Sequence, residues 1–384
     1  MAQFPIKEFE PLRTPFYYYD LNLLQKTLEE INKYSAKENY HVHYAIKANA
    51  NPEILRIIKE SGLGIDCVSG GEVQTALNAG FEPSKIVFAG VGKSDWEIEL
   101  GLDNNISCFN VESAAELDVI QEIAESKGII ANIALRVNPN VDAHTHHYIT
   151  TGLAENKFGI SLELLDKVIE RCITSPNINL QGLHFHIGSQ ITINEPFKRL
   201  CAKINELQHH YEAHGIKFAS INVGGGLGID YDNPDTNPIP DFKSYFETFD
   251  KHLELREGQQ LHFELGRSIV GQCGSLITKV LYVKEGLKKK FAIVDAGFTE
   301  LIRPALYEAH HLIENITSQE DATDVYDVVG PICESSDRFG EEEKLPITKR
   351  GDLLALRSAG AYGEIMASQY NCRQLPKSYF STNL

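Results

Sequence analysis

Residues 41–68, HVHYAIKANANPEILRIIKESGLGIDCV, contain a strand, a helix and the beginning of a second strand. The apolar run at 41–46 predicts the first strand. From Pro52 onward, apolar residues recur at intervals of three and four, which is typical of an amphipathic helix. Gly62 is placed to end that helix as a C-cap, and 64–68 is again strand-like. This stretch therefore predicts one strand–helix unit followed directly by the next strand.

The same alternation continues along the chain, so that eight strand–helix units begin between residues 41 and 265. A doubly wound open sheet is the competing arrangement, but such a sheet rarely contains eight evenly spaced units. We therefore expect an α/β fold with a (β/α)₈ barrel of the TIM type, spanning residues 26–267. The predicted barrel strands are 41–46, 64–68, 86–90, 106–111, 132–137, 180–187, 219–223 and 260–265.

The pattern changes after about residue 268, where the long helical stretches largely disappear. We expect residues 268–384 to form a second, β-rich domain with a barrel-like or sandwich-like sheet. Residues 1–25 are assigned to the same domain, because the opening segment FEPLRTPFYYYDL is suited to pair with it. The strand-like segments of this domain are SIVGQCGSLITKVLYVKEG, KKKFAIVDAG, DVYDVVGPIC and GDLLALRSAGAYG.

The chain has 384 residues and a formal net charge of −17, from 36 Lys plus Arg against 53 Asp plus Glu. This balance argues against nucleic acid and anionic membranes as partners and favours small-molecule ligands. No secretory signal and no run of about 18 apolar residues is visible, so we expect no membrane span and a cytoplasmic protein. Seven scattered cysteines without a C-x-x-C pair fit reduced thiols and predict no structural zinc.

In a (β/α)₈ barrel the chemistry gathers at the carboxyl ends of the strands, and polar residues recur there in this sequence. Lys47 follows the first strand and has two interpretations. It can extend its ammonium group to solvent on an apolar stem, or it can be an amine nucleophile of the kind that forms Schiff bases. Asp66, Arg136 and His186 occupy comparable positions on later strands. His184 faces the same side as His186, and a hydrogen-bonded structural pair is the alternative to a ligand site.

The run INVGGGLG ends the seventh strand and contains Gly224, Gly225 and Gly226. It can be a simple turn, and it lacks the G-x-G-x-x-G pattern of dinucleotide-binding proteins. Its position nevertheless matches the usual phosphate site of the barrel, where glycine lets backbone N–H groups approach an anion. Ser189 is placed to add a hydroxyl donor. Glu264 ends the eighth strand, where a carboxylate could hold a pyridine nitrogen in its protonated form.

Two further motifs carry no function in this interpretation. FAGVGKS, 88–94, suggests a P-loop, but that pattern requires glycine at the position of Val87. HTHH, 144–147, lies near Asp142 and could bind a metal, yet it lacks the i, i+4 spacing of paired ligands on a helix. We interpret these residues as surface histidines and expect no metal site.

One face of the predicted barrel carries three features: a lysine that can form an imine, a glycine run that can hold a phosphate, and an acid that can contact a ring nitrogen. These are the parts that a pyridoxal phosphate enzyme requires. At these residues the chain resembles the fold-type III pyridoxal phosphate-dependent decarboxylases, and within them the diaminopimelate decarboxylase family. The blocks that carry the resemblance run in order over nearly the whole length: HYAIKAN, GIDCVSGGE, LRVNP, TGLAENKFGI, GLHFHIGSQ, NVGGGLG, ELGRS, DAGFTELIRPALY, GPICESSD and GAYGEIMASQYN.

The resemblance implies roles for individual residues on the cofactor side. Lys47 is the expected Schiff-base lysine, His186 is expected to stack on the cofactor ring, and Glu264 is expected at the pyridine nitrogen. The other residues expected to bind pyridoxal 5′-phosphate, several of them around its phosphate, are Asp66, Arg136, Ser189, Gly224, Gly225, Gly226, Gly266, Arg267 and Tyr362.

The same resemblance implies a receptor for the far end of the substrate. Glu334 is expected to receive the distal ammonium group, and Cys333 is the expected proton donor. In this family these two residues enter the site from a partner subunit, so a homodimer with shared active sites is expected. The full set of expected substrate-binding residues, with the distal carboxylate held by the first three, is Arg267, Arg303, Tyr307, Glu334 and Tyr362.

The sequence departs from the family pattern at Leu265 of ELGRS, where proline is usual. Proline would fix the backbone between Glu264 and Arg267. Gly266 remains to make the turn, so we expect activity to be retained.

The implied reaction is decarboxylation of meso-2,6-diaminopimelate at its D-centre to L-lysine and CO₂, the last step of lysine biosynthesis. The block LIRPALY favours this substrate, because Arg303 and Tyr307 at i and i+4 share one helical face. A bidentate arginine fork suits a carboxylate. An enzyme that forms a diamine would instead need carboxylates at that position.

Other hypotheses stay open at the level of sequence. The chain could be another fold-type III decarboxylase, acting on carboxynorspermidine, ornithine or arginine. A racemase is disfavoured because a second base is not evident. A non-catalytic homologue that binds a partner is the alternative from a different class, and the joint retention of Lys47, Glu264 and Cys333 argues against it.

Overall fold

Strands and helices alternate as far as residue 265, and strands dominate thereafter. The computed structural model describes residues 4–141, 157–382 and 384. The strands, β1 to β16 in chain order, are Phe16–Tyr19, Tyr40–Ala45, Gly64–Cys67, Ile86–Phe88, Cys108–Val111, Ala131–Arg136, Ile178–His184, Ser220–Asn222, Gln260–Leu265, Gly274–Glu285, Lys290–Val294, Ile313–Asn315, Thr323–Val329, Arg338–Pro346, Leu353–Leu356 and Lys377–Phe380. The α-helices, α1 to α11, are Ile6–Phe9, Leu21–Tyr34, Pro52–Glu60, Gly70–Asn78, Asp95–Asp103, Ala114–Lys127, Leu162–Thr174, Glu195–Ala213, Phe242–His252, Arg267–Val270 and Arg303–Tyr307.

Strands β2 to β9 form a closed barrel in which each strand pairs with the next and β9 pairs with β2. All eight pairs are parallel, so the predicted (β/α)₈ barrel is confirmed. The predicted strands are all present, with ends that shift by a few residues. β7 ends at His184 rather than at residue 187, and positive φ angles at Gly188 (154°) and Gln190 (61°) turn the chain away from the sheet. His186 therefore lies just beyond the strand.

The turn after β2 is fixed by the helix that follows it. Asn51 is the N-cap of α3 and its side chain accepts a hydrogen bond from the Glu53 N–H. Pro52 occupies the start of the helix, where no amide hydrogen is needed. Burying an aliphatic side chain contributes roughly 1.5–3 kcal/mol, so the apolar face of α3 holds this turn in place. The buried residues of that face are Ile54, Leu55, Ile57 and Ile58.

The second sheet has the strand order β12-β15-β10-β11-β13-β14. Most of its pairs are antiparallel, which is typical of a β-rich domain. β1 lies antiparallel to β10 and parallel to β16, so Phe16–Tyr19 of the opening segment pairs with this sheet. The predicted α/β barrel with a C-terminal β-rich domain is therefore the observed fold.

The described residues pack as two compact units. The barrel unit contains the described residues of Leu28–Gly228 and Asp241–Gly266. The β-rich unit contains the described residues up to Thr27, together with Ile229–Pro240 and the described part of Arg267–Leu384. No helix in the described part of the chain has both the length and the apolar character needed to cross a membrane.

The segment 229–240 lies inside the predicted barrel domain 26–267, yet it packs within the β-rich unit. Two long-range hydrogen bonds account for this difference. Gln272 Nε2 donates to the carbonyl oxygen of Asn237 at 2.6 Å, and Arg357 Nη2 donates to Asp235 Oδ1 at 2.9 Å. Hydropathy patterns do not reveal such contacts, because the partners are far apart in the sequence.

Candidate active site

Lys47 lies in a single 3₁₀ turn, Ile46–Ala48, directly after β2 at the carboxyl end of the barrel. Its Nζ atom is 3.2 Å from Oδ2 of Asp66 on β3; the aspartate side chain is fully buried and the lysine side chain is 37% exposed. Burial raises the pKa of Asp66, the charge of Glu264 adds to the increase, and Lys47 opposes it. Oδ1 of Asp66 has no hydrogen-bond partner among the described residues. A buried acid therefore anchors the amine, which does not simply extend into solvent.

Glu264 is the penultimate residue of β9, and its buried carboxylate accepts hydrogen bonds from three other strands. Nε2 of His184 is 3.0 Å from Oε2, while the side-chain amides of Asn110 and Asn222 donate to Oε1 at 3.1 and 2.8 Å. Burial alone would raise the pKa of Glu264, but the effects of His184 and Lys47 outweigh it. The pKa of this carboxyl therefore lies well below its usual range, and the group is ionised at neutral pH.

A buried ion pair joins β6 to the end of β5. Nη1 of Arg136 is 2.6 Å from Oε1 of Glu112, and both side chains are almost fully buried. Glu112 also accepts hydrogen bonds from the backbone N–H groups of Gly90 (3.3 Å) and Gly159 (2.8 Å). The Arg136 guanidinium lies over the ring of Phe158, 4.7 Å from its centroid. Arg136 is thus fixed from several sides at the barrel end where the sequence places it.

The glycine run after β8 contacts the loop after β7. The N–H of Gly225 donates to Nδ1 of His186 at 3.3 Å. A Cβ atom on Gly225 would lie 1.9 Å from the carbonyl oxygen of Glu264, so any side chain there would collide with backbone. Gly224 has a φ of +67°, a left-handed conformation that glycine adopts without strain. Glycine is therefore required at both positions, by backbone contact at Gly225 and by backbone conformation at Gly224.

His186 and Ser189 both lie in the loop after β7 and are partly exposed. Burial of the His186 ring lowers its pKa, and the charges of Arg136 and Lys47 add to the decrease. The imidazole is therefore neutral at neutral pH. Since Nδ1 accepts from Gly225, the ring proton is assigned to Nε2.

The backbone at the end of β9 is regular despite the absence of proline. Leu265 is fully buried and pairs with Tyr44 in the β2–β9 ladder. Gly266 follows, and a Cβ atom there would come within 3.2 Å of the Cβ atoms of Ala45 and Ala48. Tight packing against β2 and the Lys47 turn thus fixes this stretch.

In the β-rich unit, Arg267 is buried among tyrosine side chains. Its Nη1 donates to the hydroxyl of Tyr231 at 2.6 Å, and its guanidinium lies 4.9 Å from the ring centroid of Tyr362. Tyr362 has a φ of +56°, a left-handed conformation that non-glycine residues seldom adopt. Such strain is typical of residues whose position the surrounding structure dictates.

Arg303 begins α11, is 5% exposed, and lies one turn before Tyr307. Its Nη1 donates to Nε2 of His311 at 2.8 Å, and Nδ1 of His311 donates to the carbonyl oxygen of Arg357 at 2.8 Å. Burial lowers the pKa of His311 to about 3, and the charge of Arg303 adds to the decrease. The neutral imidazole can therefore accept from the guanidinium while it donates to the carbonyl. The Cζ atom of Arg303 also lies 4.8 Å from the ring centroid of Tyr231.

Cys333 and Glu334 lie in the segment between β13 and β14 of the β-rich unit, and both are exposed. Oε1 of Glu334 accepts a hydrogen bond from the Tyr370 hydroxyl at 2.9 Å. The Tyr370 ring in turn stacks on Phe298 with centroids 5.9 Å apart. The Cys333 thiol and the Glu334 carboxylate, which Tyr370 hydrogen-bonds, are therefore neighbours at the surface of the β-rich unit.

Sequence reasoning did not identify the residues that hydrogen-bond to the predicted site residues Glu264 and Arg267. Asn110 and Asn222 lie near the carboxyl ends of β5 and β8, where the chemistry of a (β/α)₈ barrel gathers, and this position could have identified them. Tyr231 carries no comparable local signal. The HTHH cluster and Asp142 lie outside the described residues, and within the described ranges no three His, Cys, Asp or Glu side chains converge as metal ligands.

The lysine of the rejected P-loop motif has a structural role. Lys93 is buried, and its Nζ donates to Glu116 at 2.6 Å and to the carbonyl oxygens of Gly90 and Asn110, both at 2.9 Å. All three of its donor positions are thus occupied by protein groups.

Comparison with known proteins agrees with this geometry. Residues 21–271 match the family described as pyridoxal-dependent decarboxylase, pyridoxal binding domain. The diaminopimelate decarboxylase of Bacteroides thetaiotaomicron is 63% identical over 382 residues, which cover 99% of each chain. The crystal structure of diaminopimelate decarboxylase from Helicobacter pylori complexed with L-lysine has 41% identity and a TM-score of 0.91, covering 97% of this chain and 93% of that one. A lysine/ornithine decarboxylase from Vibrio vulnificus, 21% identical, shares the fold with a TM-score of 0.85 and covers 98% of this chain and 96% of that one.

The family match covers most of the barrel, and the closer relatives cover nearly the whole chain. The chain belongs to the pyridoxal-dependent decarboxylases, and within them to the diaminopimelate decarboxylase family. It is therefore an amino-acid decarboxylase, a carboxy-lyase, built on a TIM barrel with a β-rich second domain.

Proposed function

We propose that this chain binds pyridoxal 5′-phosphate at the carboxyl end of its barrel and decarboxylates meso-2,6-diaminopimelate to L-lysine and CO₂. The residues suit the cofactor: an accessible amine beside a buried acid, an ionised buried carboxylate, and a glycine run that excludes side chains. Lys47 would hold the cofactor aldehyde, Glu264 its ring nitrogen and His186 one face of its ring. When bound, the cofactor supplies the electron sink for the electron pair left behind as CO₂ departs.

The phosphate would be held by the loops after β7 and β8. The N–H groups of Gly224 and Gly225 already donate to Asn222 and His186, so they position the loop. As the family resemblance implies, we assign anion binding to this glycine run, including the Gly226 N–H, together with the Ser189 hydroxyl. Backbone and hydroxyl donors of this kind bind phosphate without added positive charge.

The chain's own groups control protons at the reacting end. Three donors hold the Glu264 carboxylate in one orientation, so its charge remains available to a protonated ring nitrogen. Asp66 Oδ2, 3.2 Å from Nζ of Lys47, would hold the amine in place, and burial raises the pKa of this carboxyl group. Cys333 Sγ would deliver a proton to the carbon from which CO₂ has left.

The arginine cluster of the β-rich unit is the observation that carries the substrate assignment. Arg267 and Arg303 are both buried, and tyrosine and histidine side chains hold them. Two guanidinium groups, with Tyr307 on the same helix as Arg303, suit the distal carboxylate of diaminopimelate. Glu334 would receive the distal ammonium group. A diamine-forming decarboxylase gains nothing from such a cationic receptor.

Product analysis across a substrate panel tests this assignment. Purified protein is loaded with pyridoxal 5′-phosphate and incubated separately with meso-diaminopimelate, ornithine, arginine and carboxynorspermidine, and CO₂ and amines are quantified. We expect CO₂ and L-lysine from meso-diaminopimelate and negligible release from the others. Release of CO₂ from ornithine or arginine without turnover of meso-diaminopimelate would identify a different decarboxylase. No turnover of any substrate would favour the non-catalytic homologue.

We also propose a homodimer in which Cys333 and Glu334 complete the active site of the partner subunit, as the family resemblance implies. Their exposure on the β-rich unit supports this arrangement. Two inactive variants, Lys47→Ala and Cys333→Ala, can be mixed and allowed to exchange subunits. Statistical exchange leaves one intact site in each mixed dimer, so about a quarter of wild-type activity should return. If both variants dimerise and exchange but no activity returns, shared sites are excluded.

A cytoplasmic role in amino-acid biosynthesis fits the cysteines. All seven are unpaired, and most of them are buried. Free thiols of this kind suit a reducing compartment. Cell fractionation with detection of the native protein checks this location.

A further inference from the structure

Tyr231 lies between the two buried arginines of the β-rich unit. Its hydroxyl accepts a hydrogen bond from Nη1 of Arg267 at 2.6 Å. The guanidinium of Arg303 lies over its ring, 4.8 Å from the centroid. Its ring also meets His311 edge-on, with centroids 5.2 Å apart and an interplanar angle of 81°. One side chain therefore touches both cations and the imidazole that holds Arg303.

The segment that carries Tyr231 is fixed by its own hydrogen bonds. Asp230 accepts from the backbone N–H groups of Asp232 (3.0 Å) and Asn233 (2.8 Å) and from the Asn237 side chain (2.8 Å). Gln272, two residues before β10, donates from Nε2 to the carbonyl oxygen of Asn237 at 2.6 Å. Tyr231 thus projects from a closed loop of the β-rich unit.

A tyrosine suits this position because it satisfies cations without neutralising them. Arg303 makes no salt bridge to a carboxylate within the described residues. Burial lowers the pKa of Arg303; the charge of Arg267 adds to the decrease and Tyr231 opposes it. Guanidinium groups bind favourably both to a hydroxyl oxygen and to an aromatic face. An acidic side chain in the same place would pair with the arginines and compete with an incoming anion.

We propose that Tyr231 is a positioning residue that sets the substrate specificity of this site. Its hydroxyl and ring hold Arg267 and Arg303 as one preassembled receptor for the carboxylate at the distal end of the substrate. This inference rests on the proposed function, because it assigns a carboxylate to the arginine pair. It predicts that Tyr231 governs affinity for ligands that keep this carboxylate and does not affect ligands that lack it.

Two ligands separate this role from a general structural one. L-lysine keeps the distal carboxylate of diaminopimelate, whereas cadaverine has lost it. Tyr231→Phe removes the hydroxyl and keeps the ring, and Tyr231→Leu removes both. Tyr282 provides a matched control, since it is an exposed tyrosine of the same unit whose ring also faces an arginine, Arg350, at 5.1 Å. Tyr282→Phe should behave as the wild type.

The measurements are KM and kcat for meso-diaminopimelate, and dissociation constants of L-lysine and cadaverine by calorimetric titration of the holoenzyme. A hydrogen bond to a charged group is typically worth a factor of about ten or more in affinity. For Tyr231→Phe we expect KM and the L-lysine constant to rise about tenfold, with kcat within about threefold and the cadaverine constant unchanged. Tyr231→Leu should show a larger effect of the same kind.

Two results would overturn the proposal. One is unchanged affinity for L-lysine in Tyr231→Phe. The other is an equal loss for L-lysine and cadaverine together with a lower melting temperature, which would indicate a packing role only. Absence of turnover by the wild type would contradict the proposed function instead. The ratio of the L-lysine and cadaverine affinities would still report on Tyr231.

Discussion

The barrel end and the arginine cluster both bury charged groups, but they hold them differently. In the barrel unit, Lys47 faces Asp66 and Arg136 faces Glu112, so cations meet carboxylates. In the β-rich unit, Arg303 meets the neutral His311 and the ring of Tyr231. Within the described residues Arg303 therefore keeps its positive charge without a carboxylate partner, whereas each of these two cations at the barrel end faces an acidic side chain.

The difference shows which ligand each region suits. Burial of a cation without an anion is unfavourable, and proteins retain such an arrangement where a ligand supplies the missing charge. The arginine cluster is therefore suited to an anionic group of the substrate. The barrel end instead orients individual charges, such as the Glu264 carboxylate, toward a cofactor.

Removal of the amine at the barrel end should have the largest effect. Lys47→Ala should lower kcat by about 10⁴-fold or more, because no other group can hold the cofactor covalently at that place. Reduction with borohydride followed by mass spectrometry should find the cofactor on Lys47 in the wild type. Lys59→Ala, at an exposed helix position, is the control. Trapping of the cofactor on another lysine would contradict the assignment.

Neutralisation of the barrel carboxylate should have the next largest effect. Glu264→Gln keeps the shape but removes the charge that stabilises a protonated ring nitrogen, so we expect kcat to fall by about 10²- to 10³-fold. Glu206→Gln, on the exposed face of a helix, should leave kcat unchanged. Steady-state kinetics on the loaded protein measure both. A loss smaller than threefold in Glu264→Gln would remove this carboxylate from the mechanism.

A conservative change in the arginine cluster should act mainly on binding. Arg303→Lys keeps the charge but loses the planar fork and its bond to His311, so we expect KM for meso-diaminopimelate to rise about 100-fold. The effect on kcat should be much smaller. Arg350→Lys, which changes an exposed arginine near Tyr282, is the matched control. A lower kcat with an unchanged KM in Arg303→Lys would place Arg303 outside the carboxylate receptor.

The smallest expected effect concerns acid stability of the barrel interior. Burial lowers the pKa of His43, which contacts Nδ1 of His262 at 2.9 Å, to about 4. The unfolded chain, with an ordinary histidine pKa of about 6.5, binds the proton first, so stability is full above pH 6.5 and is lost as the pH falls toward 4. At pH 5 the loss from this group is about 2 kcal/mol.

Urea unfolding at pH 7.5 and pH 5 measures this loss. In His43→Gln the difference in unfolding free energy between the two pH values should shrink by about 2 kcal/mol. His210→Gln, at a half-exposed helix position, should retain the wild-type difference. A His43→Gln variant with an unchanged pH dependence would show that His43 does not titrate in this way.

The sequence by itself determined the order of the elements and the main chemical groups of the barrel. Helical and strand periodicities are local properties, so eight strand–helix units and the β-rich end could be predicted. Because the carboxyl ends of barrel strands converge, Lys47, Asp66 and Glu264 could be expected together before any contact was known.

Only the tertiary structure decided which groups hold these residues. Asn110 and Glu264 are 154 residues apart, and no local pattern indicates that they share a hydrogen bond. Tyr231 meets Arg267 because the segment 229–240 packs within the β-rich unit, which hydropathy does not reveal. Periodicity depends on near neighbours, whereas the orientation and pKa of a buried charge depend on partners that the fold brings together from distant parts of the chain.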